Sequence, residues 1–499
     1  MIRIMRNFFI VCGFLIIELL GARVYAEATY DEVETAKLRN FLSQESAEPG
    51  VMNYQKLGLT SMDNIQWGSV WGLYWNSLTY YLERVQWPEV GLSGHLDFSD
   101  FAGLIYVVCS FNDIKSINVT NTPKLQRLDV YTNDLKEIDV STNPSLNYLR
   151  VGYNNIPTLD LSNNPRLGFL CCTNNRLETL DMSNKAELYT LYCVGNRLHT
   201  LYVDNCIALE TLLCDFNNLE NLNVSNLTSL KIFSCMNNGL KDMLFSNCTS
   251  LEDIKCNNNE LSDLDFSNCK YLKAINCNNN NIVSLNLKGC SSLTSMLCEN
   301  NLLRSLDISD SPLLSTFLCK YNYFSFLTLP LPSAQLTNYS YSQQYAVALE
   351  CNYNNIDFSD FYTINDNISK FTWFYQNTTV SPKEIEKGRF TFDESYIGET
   401  FICLVQNSAL PLLVMHFDVT FTQGDVGNAN PETGKPAVYA SEQTVHVITG
   451  SSATVSIYSL QGMLLMKRKM EAGHTGIPIK RGVYVAVVND KWSYKLIVR

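Results

Sequence analysis

The sequence predicts a mainly β protein built as a solenoid, in which short coils of equal length stack on one another. The first observation is a leucine that recurs every 21 residues from Leu104 to Leu314 without a change in spacing. The second is an asparagine near the middle of each unit, from Asn112 to Asn322, and the third is a cysteine or valine three residues before it. A fixed short period of this kind indicates coils that bury their apolar faces only against their neighbours.

Each unit reads LxxLxCxxNxLxxLxxSxxxx, as in residues 251–271. The LxxLxC part alternates in the manner of a strand, so we expect these strands to form one sheet on the concave side. A coil of this length leaves no room for a full helix, which predicts a short extended or 3₁₀ segment on the convex side. The side-chain amide of the repeated asparagine is expected to bond backbone groups of the adjacent coils.

Cysteine fills the slot three residues before the asparagine in nine units, and Val130 and Val151 fill it in the other two. The two residue types interchange where a small, buried, apolar group is needed. Parallel strands would hold neighbouring sulfurs about 4.8 Å apart with their Cβ vectors side by side, so we predict a ladder of reduced cysteines. Cys171 is expected to face outward, as a tolerated surface residue or as a reactive thiol. A second, shorter ladder is predicted at Cys206, Cys248, Cys269 and Cys290.

The N-terminal residues 1–26 have the features of a secretory signal peptide. Arg3 and Arg6 precede an apolar run over residues 8–20, and small residues follow near position 26. Residues 27–103 are assigned to an N-terminal cap, with a helix near 31–46 that begins after Asp31, and then a tryptophan-rich stretch of strands and turns. No later segment has the roughly 18 uninterrupted apolar residues of a transmembrane helix.

The repeat array is assigned to residues 104–360, with degenerate units after the period breaks at Pro330. An imperfect unit is expected at 349–356. Separate β-like runs over 361–422 predict a small all-β module of immunoglobulin-like type, and 423–438 have the composition of a linker. Residues 439–499 predict a final β domain, with eight basic residues against three acidic ones in a chain of net charge −12.

Composition and spacing speak against two classes of function. The acidic balance opposes a nucleic-acid partner, because phosphates require clustered lysine and arginine. The five histidines are scattered and none has metal-ligand spacing or lies near a nucleophile motif. We therefore expect no enzyme, no cofactor and no metal.

The outward positions of the strands carry the sharper functional hypothesis. Aromatic rings occupy them in the first half of the array, and asparagines such as Asn257, Asn258, Asn278 and Asn279 replace them in the second half. Aromatic side chains dominate binding hot spots, which favours a partner-binding stripe. The alternative is that stacked rings on neighbouring strands only stabilise the sheet. The candidate partner-binding residues are Tyr106, Phe111, Tyr131, Tyr148, Tyr153, Phe169, Tyr192 and Phe216.

The repeat resembles the bacterial leucine-rich repeats of the internalin type, and most of all the internalin J subgroup, whose 21-residue units place cysteine where others have leucine. The likeness covers residues 31 to about 422 and extends to exported internalin J-like proteins of Bacteroidetes. It implies a leucine-rich repeat solenoid with cysteine and asparagine ladders. It says little about the ligand, because proteins that share this repeat bind unrelated partners.

The C-terminal segment resembles the β-sandwich sorting domain of the type IX secretion system. The likeness lies in IYSLQG, which ends at Gly462, then in IPI before Gly482-Val-Tyr484, and in the last strand from Lys495. It implies a sorting signal that includes Gly462, Gly482, Tyr484 and Lys495 and is read by the secretion machinery. The domain is often removed, with attachment of the protein to the outer-membrane surface.

Together these features predict a secreted, surface-displayed adhesin that binds a protein or cell-surface ligand of the host or of another bacterium. The alternative is a structural surface or biofilm component that assembles with like chains.

Overall fold

The computed structural model describes residues 30–422 except 268 and 353, and most of residues 437–498. In the second range it leaves out 442, 443, 450, 451, 460–462, 472, 481, 490 and 491. The predicted signal peptide, most of the predicted linker and Gly462 therefore lie outside the described residues.

A 14-stranded sheet, called the long sheet below, runs through the repeat array. Its strands are parallel, except that the first is antiparallel to the second. The pairing is in register with the repeat, so that Leu170, Leu191 and Leu212 lie side by side. The predicted mainly β, leucine-rich repeat solenoid is confirmed. In sheet order the strands are Leu73–Trp75, Leu82–Gln86, Tyr106–Val108, Arg127–Asp129, Tyr148–Arg150, Phe169–Cys171, Thr190–Tyr192, Thr211–Leu213, Ile232–Ser234, Asp253–Lys255, Ala274–Asn276, Ser295–Leu297, Thr316–Leu318 and Asn338–Ser340.

On the opposite side of the coils, short strands form parallel pairs. Of the two conformations expected there, these coils adopt the extended one. The pairs are Ser93–Asp97 with Asp113–Asn118, Thr179–Asp181 with Thr200–Tyr202, Asn221–Asn223 with Asp242–Leu244, and Asp263–Asp265 with Ser284–Asn286.

The repeated asparagine ties each coil to its neighbours, as predicted. Asn175 Nδ2 donates to the carbonyls of Val151 and Cys172 at 3.0 and 3.1 Å, and Asn175 Oδ1 accepts from the N–H of Ile156 at 3.0 Å. The same set of three bonds recurs from Asn133 to Asn322. One buried side chain thus satisfies backbone groups of two successive coils, which strands of three residues could not do by themselves.

The sixteen cysteines among the described residues are buried free thiols. In the second ladder the sulfurs reach backward to a carbonyl of the preceding coil, as in the bond from Cys206 Sγ to Met182 O at 3.0 Å. Burial raises the pKa of the Cys206 thiol to about 11. The expectation that Cys171 is a surface residue is wrong: its position does face outward, but Arg150 and Tyr192 flank it in the register and only 5% of it is exposed.

The N-terminal helix, Glu32–Leu42, confirms the predicted helix and its cap. Asp31 Oδ1 accepts from the N–H groups of Val33 and Glu34, at 3.0 Å each, which satisfies donors that the first helical turn leaves free. Leu38, Phe41 and Leu42 are buried against the first coils. A second helix, Asn53–Lys56, and a 3₁₀ turn, Trp67–Ser69, precede the first strand of the long sheet.

Beyond the array, two sheets enclose an aromatic core. The ring centre of Trp373 lies 5.4 Å from that of Phe390 and 4.9 Å from that of Phe392. Val347–Asn352 pairs with Val414–Thr422 and so belongs here, which differs from the imperfect repeat expected at 349–356. The five-stranded sheet consists of Val347–Asn352, Val414–Thr422, Thr400–Gln406, Lys370–Tyr375 and Thr378–Val380. The three-stranded sheet consists of Asn355–Asp357, Arg389–Thr391 and Lys383–Glu386. Smaller elements are the pair Thr363–Ile364 and Asn367–Ile368, and the 3₁₀ turns Ser359–Phe361 and Glu394–Tyr396.

The last β-rich segment has its own apolar core, which includes Val445, Val447, Ile457 and Ala486. One sheet consists of Ala437–Ser441, Thr444–Thr449 and Gly473–Pro478. The other consists of Leu464–Met470, Ala453–Ser459, Gly482–Val488 and Trp492–Val498. Within the part of the chain that the structure describes, no helix has the length and apolarity needed to cross a membrane.

Candidate partner-binding face

The outer face of the long sheet is formed by the first and third residues of its three-residue strands. From Tyr106–Val108 to Thr316–Leu318 the central residue of each strand is buried, as Val107 and Leu128 show. Successive side chains of a strand point to opposite sides. The side chains that flank each buried residue therefore point away from the core.

Tyrosine and arginine alternate along this face, in a line that we call the strand row: Tyr74, Arg84, Tyr106, Arg127, Tyr148 and Phe169. The register places each member opposite the next across six neighbouring strands. The guanidinium of Arg127 lies 5.2 Å from the ring centre of Tyr106 and 3.8 Å from that of Tyr148. The rings of Tyr148 and Phe169 are stacked with centres 4.3 Å apart. These contacts hold flat groups in one continuous line.

A buried carboxylate joins the strand row to a second group of rings. Asp129 is 3% exposed, and its Oδ2 lies 3.4 Å from Arg127 Nη2 and 3.5 Å from Arg150 Nη1. The guanidinium of Arg150 stacks over the ring of Tyr131 at 3.7 Å. One acid thus orients two arginines, each of which packs on tyrosine.

The turns that follow the strands carry exposed aromatic residues in a strained conformation. We call the residues just before the repeated asparagines, Asn112 to Asn322, the turn row. Phe111, Tyr153 and Phe216 belong to it and have φ angles of 57°, 53° and 54°. This left-handed region suits glycine and asparagine and is costly for bulky side chains. About half of each side chain is exposed. Such strain at exposed aromatic positions is typical of functional sites.

Seven of the eight predicted residues form connected contacts. Tyr131 bridges Phe111 and Tyr153, with ring centres 5.5 and 5.1 Å away, and Phe169 lies 5.8 Å from Tyr192. Tyr106 and Tyr148 join the group through Arg127. Phe216 stands apart, because Asn174 and Gly195 occupy the turn row between it and Tyr153.

Sequence reasoning missed the three arginines of the face and one of its tyrosines, Tyr74. Tyr74 and Arg84 precede the regular period, and Arg84 aligns with Tyr106 at a separation of 22 residues, one more than the repeat. Arg127 and Arg150 do lie within the repeat, at the outward positions that hold tyrosine elsewhere. A search of those positions for arginine as well as for aromatic residues would have found them.

A smaller aromatic group lies near the end of the array and was also missed. Tyr321 continues the turn row with a φ of 54°. The ring of Tyr345 lies 6.3 Å from that of Tyr321 and 5.3 Å from that of Tyr323, and Arg304 packs over Tyr323 at 5.0 Å. Between the two groups the turn row holds exposed or half-buried asparagines in place of aromatic residues. Their side chains bond to one another from coil to coil, as an asparagine ladder of the turn row: Asn258 Nδ2 donates to Asn237 Oδ1 at 2.9 Å.

Of the residues assigned to the sorting signal, Tyr484 is buried and its hydroxyl donates to Lys480 O at 2.8 Å. Gly482 and Lys495 lie in the paired strands Gly482–Val488 and Trp492–Val498. No group of three or more histidine, cysteine or acidic residues is placed to hold a metal ion among the residues described.

The solved structures that this chain is similar to are leucine-rich repeat proteins. The functional domain of InlJ from Listeria monocytogenes, which includes a cysteine ladder, is 19% identical, with 66% of this chain and 90% of that one covered and a TM-score of 0.35. The leucine-rich effector YopM from Yersinia pestis is 23% identical, with 52% and 83% covered and a TM-score of 0.39.

The Arabidopsis receptor kinase HAESA, in complex with the peptide hormone IDA and the co-receptor SERK1, is 17% identical, with 64% and 63% covered and a TM-score of 0.35. No protein-family model matches the sequence, and no curated protein matches it either. All three TM-scores are below 0.5, so the function of this chain has to be inferred from its own residues.

Proposed function

We propose that this chain binds partner proteins through the outer face of the first half of its long sheet. The observation that carries this proposal is the strand row, in which Arg127 is packed between Tyr106 and Tyr148 and anchored by the buried Asp129. Tyrosine and arginine are among the residue types enriched at the hot spots of protein interfaces. Groups that are already fixed lose little entropy on binding. No catalytic step is part of this proposal.

The alternative role of the rings, stabilisation of the sheet, accounts for the stacked pair Tyr148 and Phe169. It does not account for the turn row. Phe216 is 55% exposed, makes no ring contact among the described residues and adopts a conformation that an asparagine would adopt at lower cost. A residue that costs stability and is left exposed is better explained by a partner than by the fold.

We further propose that the protein is exported and displayed on the outer-membrane surface as an adhesin. This rests on the sequence features of residues 1–26 and on the resemblance of residues 439–499 to a type IX sorting domain. A chain that lacks residues 439–499 should remain in the periplasm, which fractionation and immunoblotting would measure. Normal surface delivery of that chain would contradict the sorting role of Gly462, Gly482, Tyr484 and Lys495.

A second candidate function is a structural component of the surface or biofilm, which assembles with like chains. Exchange of Tyr131, Tyr148 and Tyr153 for serine separates the two. Loss of capture of host or bacterial surface proteins, with self-association unchanged in analytical ultracentrifugation, supports the adhesin. Loss of self-association with capture intact supports assembly instead.

The triple variant needs a control for folding, because Tyr131 and Tyr148 support the arginines. Exchange of Asn257, Asn278 and Asn279 for serine, on the same side of the second half, provides one. Both variants should retain the far-ultraviolet circular dichroism of the unmodified protein, and the asparagine variant should retain capture. Equal loss of capture by both variants would contradict a site in the first half.

A further inference from the structure

The outer face of the first seven strands carries more positive than negative charge. Its outward strand positions hold three arginines, Arg84, Arg127 and Arg150, and one carboxylate, Asp129. Three positive charges and one negative charge give a net charge of +2, whereas the whole chain carries −12. This part of the sheet is therefore a local positive site, and an anionic partner would be attracted to it specifically.

The two inner arginines have donors to spare. Arg127 and Arg150 approach the same oxygen of Asp129, at 3.4 and 3.5 Å. Each guanidinium carries five N–H donors, which one carboxylate cannot satisfy. The rings of Tyr148 and Tyr131 hold the two guanidinium planes in place for a further acceptor.

Arg84 extends this arrangement toward the N-terminal end. It is exposed, and the register places it directly between Tyr74, which is 51% exposed, and Tyr106. Neighbouring strands are about 4.8 Å apart, so Arg84 and Arg127 stand about 10 Å apart with one tyrosine between them. The side chain of Glu83, the residue before Arg84, is turned toward Asn76, whose Nδ2 donates to Glu83 Oε1 at 2.7 Å.

We propose that the strand row binds an acidic, extended segment of a partner protein, with carboxylates at the arginines and flat apolar groups on the tyrosines. This inference rests on the proposed function and specifies the partner's chemistry. A segment in the polyproline II conformation advances about 3.1 Å per residue, so acidic residues three positions apart are about 9 Å apart and match the arginine spacing. Faces lined with aromatic rings bind such segments because little entropy is lost.

The test uses the full chain and a fluorescent synthetic peptide of repeated Glu-Pro-Pro units, with a peptide of Gln-Pro-Pro units as the control. Fluorescence anisotropy should show binding of the acidic peptide, weakening as salt is added, and no binding of the neutral one. Binding of both peptides alike would overturn the proposal, because it would show that binding does not depend on the negative charge of the peptide. The same holds if a polygalacturonate chain binds and the acidic peptide does not, because the ligand would then be a polysaccharide.

Single substitutions locate the site. Arg84→Gln should weaken binding of the acidic peptide about threefold, the size expected for one exposed charge. Lys255→Gln removes an exposed cation from the same face in the second half and should leave binding unchanged. Equal effects of Arg84→Gln and Lys255→Gln would overturn the assignment to the strand row.

The two proposals fail separately. If the tyrosine-to-serine variant loses its protein partners but the acidic peptide never binds, the partner-binding function stands and the acidic chemistry is wrong. If neither partner capture nor peptide binding depends on the first half of the sheet, both are wrong.

Discussion

Between Tyr106–Val108 and Thr190–Tyr192, the outer positions of the long sheet hold aromatic rings and arginines that are packed on one another. Between Ile232–Ser234 and Ser295–Leu297, the corresponding positions hold Asp253, Lys255, Asn276 and small or aliphatic side chains. The turn row changes in the same way, from exposed aromatic residues to an asparagine ladder. The strands, their register and their length do not change.

The two halves of the long sheet differ in their outward side chains but have the same hydrogen bonds at the repeated asparagine. Asn154 in the first half and Asn280 in the second make the same set of bonds, each with one carbonyl of its own coil and with one carbonyl and one N–H of the preceding coil. The inward residues and the repeated asparagine before which the turn row lies therefore maintain the coil. The outward residues can vary without loss of the fold. This is why the first half can carry strained aromatic residues that the turns after the strands from Ile232–Ser234 to Ser295–Leu297 lack.

The largest expected effect tests whether the interior really is the same in both halves. Asn154→Ala and Asn280→Ala each leave one buried N–H without its acceptor, and each removes one of the two asparagine bonds that two buried carbonyls accept. Each should therefore lower the free energy of unfolding by about 3–5 kcal/mol. Urea denaturation of the two variants measures this. A markedly smaller loss for Asn154→Ala would show that the ring contacts of the first half also support the turns.

The next effect compares the array with its N-terminal cap, where a titratable group is buried. Glu34 is 2% exposed and its Oε2 accepts from the N–H of Leu82 at 2.8 Å. Burial raises the pKa of Glu34 from 4.5 to about 7, so folding favours the neutral carboxyl. Its stabilising contribution is fully present below pH 4.5 and is lost as the pH rises through 7, by at most about 3 kcal/mol.

Glu34→Gln should remove this pH dependence, as measured by amide hydrogen exchange of the helix Glu32–Leu42 at a series of pH values. Glu32→Gln, at an exposed position of the same helix, serves as the control and should leave the dependence unchanged. An unchanged pH profile in Glu34→Gln would show that another group is responsible.

A smaller effect isolates the arginine cluster. Asp129 Oδ1 accepts from the N–H of Tyr131 at 3.4 Å, and Asn276 Oδ1 makes the matching bond to Asn278 at 3.2 Å. Only Asp129 also faces two arginines. Since those arginines are about 30% exposed and partly screened, Asp129→Ala should cost about 2 kcal/mol, against about 0.5 kcal/mol for Asn276→Ala. Equal losses of unfolding free energy in urea would mean that the cluster adds no stability.

The smallest effect has the opposite sign. Phe216→Asn should stabilise the protein by about 0.5–1 kcal/mol, because asparagine adopts a positive φ at lower cost. Asn258→Phe, in the same row of the second half, should destabilise it by at least as much, since it also breaks the ladder bonds to Asn237 and Asn279. Thermal unfolding of both variants checks the pair. A loss of stability in Phe216→Asn would show that the ring makes a structural contact.

Much of the fold could be predicted because one unit repeats. The 21-residue spacing predicted the strands, the cysteine slot and the bonds of the asparagine, since each coil repeats the same contacts as the last. Where the period ends, prediction was weaker. Leu349 to Asn354 look like part of another repeat, yet the strand Val347–Asn352 pairs with Val414–Thr422, which is far away in the sequence. No local pattern encodes that pairing.

The candidate site was predicted in part. The aromatic residues were visible as outward positions of the repeat, but their partners were not, because the contact between Arg84 and the row depends on a strand outside the period. The burial of Cys171 also depends on neighbours, because its position faces outward and adjacent side chains cover it.

By itself the sequence determined the coil: its length, the buried leucines and thiols, the asparagine that closes each turn, and which side chains point outward. The tertiary structure decided how outward side chains from different coils combine. Stacking in register turned Tyr106, Arg127 and Tyr148, each 21 residues from the next, into one packed group, and it placed Arg84 in line with them. The physical reason is that inward positions are governed by a rule that repeats within every coil. Contacts on the outer face depend on which residues meet across coils.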